Sequence, residues 1–413
     1  MLNGDRAIGW IIGLALALRL AVIPLLGNDP SNQSLFEYGH IAWNIVQGHG
    51  FAYDFDGRYP LQPTAYSPAL YCYALVPWFA VFGINFLGPR IMHAVFLAAV
   101  CWFLYKIGAR LISRRAGLVA AALWAVYPEA IFLTLRLAPE NLMFPLFGWT
   151  LWRAVQTDHP RPGRNALVTG GLLGLACWTN PSLQVLGLAI PLHWKINGFL
   201  RGRAGWKRFG LFVMGAVLVI APWTIRNYLR LGAFVPLRSA FAYNMWRGNH
   251  EGATGTVRNF QFINVDVALP EDYKAYIDAN LDPTDEIARD RFFAAEVKKF
   301  IREHPGEFLR LTGTRVSYYW WQDKTHPLTG SLWYMAPWVL LLIPAAAGVI
   351  LTLRRWRSWS LWYLQILGFT TLFALTVVVP RYRLPLYPAL ILLAAAGVEA
   401  GWRRLSERHR PGG

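Results

Sequence analysis

Residues 8–26 read IGWIIGLALALRLAVIPLL, an apolar run interrupted by a single charge at Arg19. At 1.5 Å per helical residue, a run of this length matches the ~30 Å hydrocarbon core of a bilayer. It is too long for the apolar core of a signal peptide, and no small-residue cleavage site follows it. It therefore reads as a signal anchor and first span. Comparable runs recur at 88–110, 116–134, 140–156, 165–180, 182–196, 209–226, 331–353, 358–379 and 384–402, the fifth and sixth spans being short enough for a re-entrant pair. The expected fold class is an all-α polytopic membrane protein of about ten transmembrane helices.

Composition agrees. Of 413 residues, 55% are hydrophobic and 15% charged, against roughly 25% charged in a soluble domain. Twenty Trp, 18 Tyr and 24 Phe suit a chain with two membrane interfaces, where aromatic rings gather. Disorder, collagen-like repeats and a disulfide scaffold are excluded. Cys72, Cys101 and Cys177 are widely spaced in apolar surroundings and read as small buried hydrophobes. The net charge of +17 raises three readings: nucleic acid, anionic lipid or membrane topology.

Topology accounts for it. With the N-terminus cytoplasmic, the inner segments hold Lys106, Arg110, Arg114, Arg115, Arg161 and Arg164, then Lys195, Arg201, Arg203, Lys207 and Arg208. Arg354, Arg355, Arg357 and the basic tail 403–413 follow, with few acids among them. The apolar stretch 67–83, which carries Pro68 and Pro77, would invert every later loop if it crossed. The positive-inside rule thus lays it along the surface and puts both termini in the cytoplasm. Basic residues dispersed among short loops also argue against nucleic-acid binding.

The chain divides into an N-terminal span (1–26), a first periplasmic loop with juxtamembrane helices (27–87) and a transmembrane bundle (88–226). A periplasmic helical segment (227–330), the C-terminal spans (331–402) and the tail complete it. In the outer segment, Glu286 to Arg302 has helical periodicity; Pro305 ends that helix, and a second runs from about Glu307 to Trp321. The aromatic run Tyr318-Tyr319-Trp320-Trp321 beside the next span reads as part of an interfacial belt.

Ionisable groups at membrane level are functional candidates, because their desolvation must be offset by a partner or by water. In the first loop, Phe36-Glu37-Tyr38-Gly39-His40-Ile41-Ala42-Trp43-Asn44-Ile45-Val46-Gln47-Gly48-His49-Gly50-Phe51 predicts an amphipathic surface helix that carries a carboxylate in its first turn and stops at Gly48 and Gly50. Glu37 is either a catalytic acid–base group or a simple complement to the helix dipole. Glu129 and Glu140 flank an outer turn with Arg136, Arg226 ends the seventh span, and Arg381 and Arg383 open the last. His250 and His326 are isolated loop histidines.

The run Glu37-Tyr38-x-x-Ile41-Ala42-x-Asn44-x-x-x-Gly48-His49-Gly50-Phe51 resembles the first-loop signature of bacterial polyprenyl-phosphate-dependent glycosyltransferases of the GT-C fold, the protein O-mannosyltransferase and aminoarabinose-transferase group (glycosyltransferase family 39 type). Pro63-Thr64-Ala65-Tyr66-Ser67-Pro68-x-x-Tyr71 resembles the second juxtamembrane helix of that loop. Pro139-Glu140-Asn141-Leu142 resembles the acid opening the fourth span. Pro222-Trp223-Thr224-Ile225-Arg226-Asn227-Tyr228 and Trp246-Arg247-Gly248-Asn249 resemble its Trp-x-x-Arg-Asn and Gly-Asn elements. Arg381-Tyr382-Arg383-Leu384-Pro385-Leu386-Tyr387-Pro388 resembles the arginine-rich entry to the last span. Two positions depart: many members carry Asp where this chain has Ser34, and Thr-Arg-Pro where it has Thr179-Asn180-Pro181.

The resemblance implies a GT-C-like bundle with a small helical periplasmic cap in a bacterial inner membrane. It implies transfer of a sugar from a polyprenyl-phosphate donor to an acceptor hydroxyl, protein, lipid or polysaccharide, on the periplasmic face with inversion. Such a donor is already activated, so the protein must deprotonate the acceptor, align it and stabilise the departing phosphate. Glu37, or Asp29 upstream, is the expected base; Glu140 orients the acceptor, helps bind a divalent cation, or merely caps its helix. Arg381, Arg383 and Arg226 are the expected phosphate ligands, with Asn227, Asn249, Tyr38 and His49 as further substrate contacts. No cofactor and no metal-ligand set is evident. The alternatives are a lipid-linked sugar flippase or other transporter, and an O-antigen-type ligase using a lipid diphosphate. The ionisable groups gather at one face, which suits a one-sided active site better than a transport path.

Overall fold

A computed structural model describes residues 2–27, 34–55, 57, 60–282 and 284–408. Helix α1 (Leu2–Val22) leads into the first loop, which carries α2 (Phe36–Val46), a short antiparallel pair β1 (Ala52–Tyr53) and β2 (Gln62–Pro63), and α3 (Ala69–Phe82). The bundle continues with α4 (Leu87–Leu111), α5 (Arg114–Val126), α6 (Pro128–Phe132), α7 (Glu140–Ala154), α8 (Pro162–Thr179), α9 (Leu186–Ile196) and α10 (Gly202–Leu231). A run of shorter helices follows: α11 (Phe241–Arg247), α12 (Val265–Ala268), α13 (Glu271–Asn280), α14 (Glu286–Glu303) and α15 (Pro305–Trp320). Helices α16 (Leu332–Thr352), α17 (Trp356–Leu375) and α18 (Tyr387–Arg408) close the chain.

Among the described residues, five helical stretches are long and apolar enough to cross a membrane: Arg6–Leu25, Leu87–Leu111, Gly202–Leu231, Leu332–Leu375 and Pro380–Arg404. Leu332–Leu375 is 44 residues long and folds back on itself at the 3-10 turn Leu353–Arg355. Trp338 Nε1 donates to Trp320 O at 3.0 Å and Trp320 Nε1 to Thr370 Oγ1 at 3.2 Å, so the far ends of α16 and α17 both return to Trp320. Helices α7, α8 and α9 do not meet the same criterion. With 14 residues, the apolar helix α3 is about 21 Å long.

The run expected as one span at 116–134 is broken. Helix α5 stops ahead of Pro128, and Pro128–Leu135 continues at 55° to it; counted as one bent crossing, the pair makes a sixth span. Pro128 lacks the N–H that would bond Trp124 O. Arg19, fully buried, takes up the slack: its Nη2 donates to Trp124 O at 3.2 Å, and its Nη1 to Ala125 O at 3.1 Å and Ala15 O at 3.0 Å. The lone charge in the first span thus serves Ala125 O and supplements the long Tyr127 N–H bond to Trp124 O, 3.4 Å, at the helix break.

Helices pack closely where a side chain is missing. A Cβ on Gly170 of α8 would stand 1.9 Å from Phe212 O of α10, and one on Gly348 of α16 would stand 1.9 Å from Leu393 O of α18. Such backbone proximity, as at small-residue crossings in membranes generally, needs glycine. Helix α18 is the hub: Ala389 to Ala395 are buried throughout. A second cluster lies under α2 and α3, where Tyr38, Ile41, Tyr71, Leu75 and Phe79 meet Trp223 of α10.

Helix α14 starts as the sequence suggests, with Asp285 Oδ1 capping Ile287 N and Ala288 N at 2.8 and 2.9 Å, and α15 begins at Pro305. The aromatic run at its end is not a belt. Tyr318 and Tyr319 are buried, Tyr319 OH donating to Tyr382 O at 3.1 Å, and only Trp321 is largely exposed.

Candidate active site

Two adjoining cavities lie where α2, the α6–α7 turn and the start of the last span converge. The larger, about 490 Å³, is walled by Tyr38, the Asn180–Val185 turn, Pro236–Arg238, Phe241, Asn244, Leu372, Phe373 and Tyr382. The smaller, about 90 Å³, is walled by Phe36, Glu129, Phe132, Leu133, Arg136, Leu137 and Leu384. Tyr38, Glu140 and Arg381 line both and form the partition between them.

Local folding explains the partition. Ser34 Oγ accepts from Phe36 N at 3.1 Å, and Phe36 is held at φ 49°, a costly conformation for a residue with a bulky side chain. That turn seats Tyr38 edge-on against Tyr71, ring centroids 5.6 Å apart. Tyr71 OH in turn meets His93 Nε2 at 3.0 Å. Burial, reinforced by the charge of Glu37, drives the Tyr38 phenol far above its ordinary value, so it stays a neutral hydrogen-bond donor. Pro139 starts α7 and places Glu140 in its first turn, buried from bulk solvent yet facing both cavities. The 3-10 turn Pro380–Leu386 presents Arg381 to the same place.

Hydrogen bonding separates the predicted site residues into two sets. Glu37, Glu140 and Arg381 form no side-chain hydrogen bond or ion pair among the described residues, and Glu37 and Glu140 both lie within electrostatic range of Arg381. Arg383 is buried and committed elsewhere: Nη2 donates to Tyr318 O and Trp321 O, both at 2.8 Å, and its guanidinium lies over Trp338. Arg226 donates to Thr64 O at 2.6 Å and Phe51 O at 2.8 Å, over the rings of Phe51 and Trp223. Asn227 binds Val235 O, and Asn249 binds Met245 O and Thr376 O. None of these four lines either cavity. His49 is exposed in the turn after α2, its N–H closing on Asn44 O at 2.9 Å. Asp29 lies outside the described residues.

Two residues of the walls escaped the sequence reading or gained weight. Arg238 reaches the larger cavity with its Nε donating to Tyr66 O and its guanidinium 5.1 Å from the Tyr66 ring. Although burial disfavours its charge, Tyr66, Tyr38 and Glu37 hold its basicity above the ordinary value. It shares the cavity with Asn180, the position where an arginine was expected. Arg136, on the smaller cavity, makes no side-chain hydrogen bond or ion pair among the described residues. His250 is stacked on Trp246 and His326 on Tyr334, away from both cavities. Among the described residues, no three His, Cys, Asp or Glu side chains converge as a metal site.

A family model described as dolichyl-phosphate-mannose-protein mannosyltransferase matches residues 67–225, less than half of the chain. The archaeal oligosaccharyltransferase AglB from Archaeoglobus fulgidus, solved with an inhibitory peptide and a dolichol-phosphate, matches at TM-score 0.58 and 13% identity, over 100% of this chain and 52% of that one. ArnT from Cupriavidus metallidurans, solved bound to undecaprenyl phosphate, matches at TM-score 0.57 and 14% identity, over 96% and 62%. The Archaeoglobus fulgidus oligosaccharyltransferase tethered with an acceptor peptide matches at TM-score 0.59 and 12% identity, over 98% and 50%. No curated protein sequence matches the chain. This chain spans roughly half to three-fifths of the length of these solved proteins. The chain shares the fold of these solved proteins and is an all-α multi-pass membrane protein.

Proposed function

We propose that the protein transfers a glycosyl group from a polyprenyl-phosphate donor to an acceptor hydroxyl at the outer face of a bacterial inner membrane. The observation that carries this reading is the partition: one carboxylate, one arginine and one neutral phenol, with the charged pair uncommitted, where a large cavity meets a small one. The donor phosphate occupies the larger cavity between Arg381 and Arg238, with Tyr38 donating to it. The acceptor hydroxyl enters the smaller one. Its oxygen attacks the anomeric carbon from the side opposite the phosphate, and the carbon–oxygen bond to phosphate breaks with its electrons leaving on the phosphate. Glu140 takes the acceptor proton, and the sugar is inverted. Glu37 lines neither cavity; it supports the positive charge of Arg381 and Arg238.

The orientation places both termini in the cytoplasm, with the basic loops, and the α11–α15 cap outside. In this reading α7, α8 and α9 also cross, and α16 and α17 cross singly, for ten spans. The deciding experiment incubates purified protein with a synthetic polyprenyl-phosphate sugar, a polyprenyl-diphosphate sugar and a mixture of hydroxyl acceptors. Transfer from the monophosphate donor alone, lost in Glu140→Gln, is the expected result. Transfer from the diphosphate donor alone points to ligase chemistry instead, and donor translocation without sugar transfer points to a flippase.

A further inference from the structure

Residues 256–265 form a tight hairpin: Arg258 bridges Asn264, Val265 N bonds Val257 O, and Asn259 Oδ1 accepts from Gln261 N and Ile263 N at 3.0 Å. Turns of this kind ordinarily carry polar residues or glycine. Here the tip reads Asn259-Phe260-Gln261-Phe262-Ile263-Asn264, without a charge. Phe260, Phe262 and Ile263 are 61%, 48% and 45% exposed, and Phe262 sits at φ 65°. A well-bonded turn that holds three large apolar side chains outward needs an apolar surface to face.

The base of the hairpin indicates which surface. Thr256 pairs in parallel with Val378, between the end of α17 and the last apolar stretch Pro380–Arg404. Thr256 Oγ1 also meets Thr325 Oγ1 at 2.7 Å, in the loop leading to α16, whose first residues Leu332 and Trp333 are 76% and 90% exposed. The hairpin is therefore rooted where three apolar helices reach the same end of the bundle. From Thr256 to the tip is about 16 Å at ~3.3 Å per residue. The interfacial layer is only some 5–8 Å deep on each side.

We infer that the 258–264 hairpin rests in the lipid surface beside α16–α18, with Phe260, Phe262 and Ile263 in the headgroup–acyl boundary, and fixes the height of the cap over the bilayer. This inference is independent of the proposed catalytic activity. The test uses the full chain in vesicles of phosphatidylethanolamine and phosphatidylglycerol. Phe262→Cys is labelled with a thiol-reactive fluorophore, which is selective because Cys72, Cys101 and Cys177 are all buried. Lipids with a nitroxide near the headgroup should quench the label at 262 strongly and spare one at Asp278→Cys on exposed α13. Phe260→Cys provides the same reading if the first variant does not fold. Quenching at both tip positions by aqueous iodide alone overturns the inference. Protection from both quenchers shows the tip packed on protein and overturns it equally.

Discussion

Arg226 and Glu286 close on Thr64 from two directions. Arg226 Nη1 donates to its carbonyl at 2.6 Å, while its hydroxyl and the next N–H, that of Ala65, donate to the Glu286 carboxylate at 2.5 and 2.8 Å. An arginine expected to grip phosphate instead fastens the first loop to α10, and a carboxylate of the cap fastens that loop to α14. On the far side, the Tyr66 ring lies between Arg238 and Arg289, 5.1 and 5.2 Å from the two guanidinium carbons. The cap, the loop and the larger cavity are thus joined through three consecutive residues, Thr64, Ala65 and Tyr66.

The Glu286 link is pH-dependent. Burial raises its carboxyl above the ordinary value, with the Thr64 and Ala65 hydrogen bonds working against that shift. The folded state therefore holds this proton more tightly than the unfolded one. The contribution is complete below the unfolded carboxyl value and is lost as pH rises through the folded one. Amide exchange in α14 should slow as pH drops through that window, after correction for intrinsic exchange rates. In Glu286→Gln this pH dependence should vanish; an unchanged profile would show that another group is responsible.

Glu140→Gln should lower the transfer rate by ~10²–10⁴-fold, the usual worth of a positioned general base, with donor affinity nearly unchanged. Glu37→Gln should cost far less. Initial rates at saturating donor distinguish the two, and the reverse ranking would return the role of base to the surface helix.

The two arginines of the Arg-Tyr-Arg turn should separate cleanly. Arg381→Ala should weaken donor binding by roughly 10–100-fold, the equivalent of one charge-assisted hydrogen-bond set, and leave thermal stability intact. Arg238→Ala should weaken binding less and also lower the melting temperature, because Tyr66 O loses its donor. Arg383→Ala should instead lower the melting temperature, because Tyr318 O and Trp321 O lose their donor. Isothermal titration with polyprenyl phosphate, beside a thermal melt, reads both effects. If Arg383→Ala weakened donor binding without lowering the melting temperature, the separation of roles would fail.

Gly170→Ala sets a methyl group against Phe212 O. Overpacking of this kind costs about 1–3 kcal/mol, so a drop in melting temperature and folded yield is expected. Gly171→Ala is its control, since a Cβ there finds nothing closer than 3.7 Å.

Arg19→Met should destabilise by about 1–3 kcal/mol for each carbonyl left unsatisfied. Joining it to Pro128→Ala restores an N–H opposite Trp124 O and should recover part of the loss. A double variant no more stable than Arg19→Met would refute the link between the charge and the helix break.

Much of the bundle was legible because apolar length is a property of the sequence itself. The helices α14 and α15 were too, since Asp285, Pro305 and the periodicity between them act locally. The break at Pro128 was hidden inside an apolar run whose hydropathy does not register a missing N–H. The site was half legible. Glu37, Glu140, Arg226, Arg381 and Arg383 all stood out as charges at membrane level, but nothing in their spacing says which of them are bonded to main-chain carbonyls. That depends on partners far away in sequence, such as Thr64 for Arg226 and Tyr318 for Arg383. Arg238 was missed because it follows the recognisable stretch around Trp223 and Arg226, with no motif of its own.

The partition of Tyr38, Glu140 and Arg381 carries a kinetic consequence. A wall shared by two cavities makes the chambers reciprocal: a side chain that swings to embrace an occupant in one enlarges the other. Whichever substrate arrives first therefore sets the dimensions its co-substrate meets. Because the larger chamber holds Arg238 and Arg381 together, order of addition should favour the anionic lipid, with the acceptor bound productively only after it.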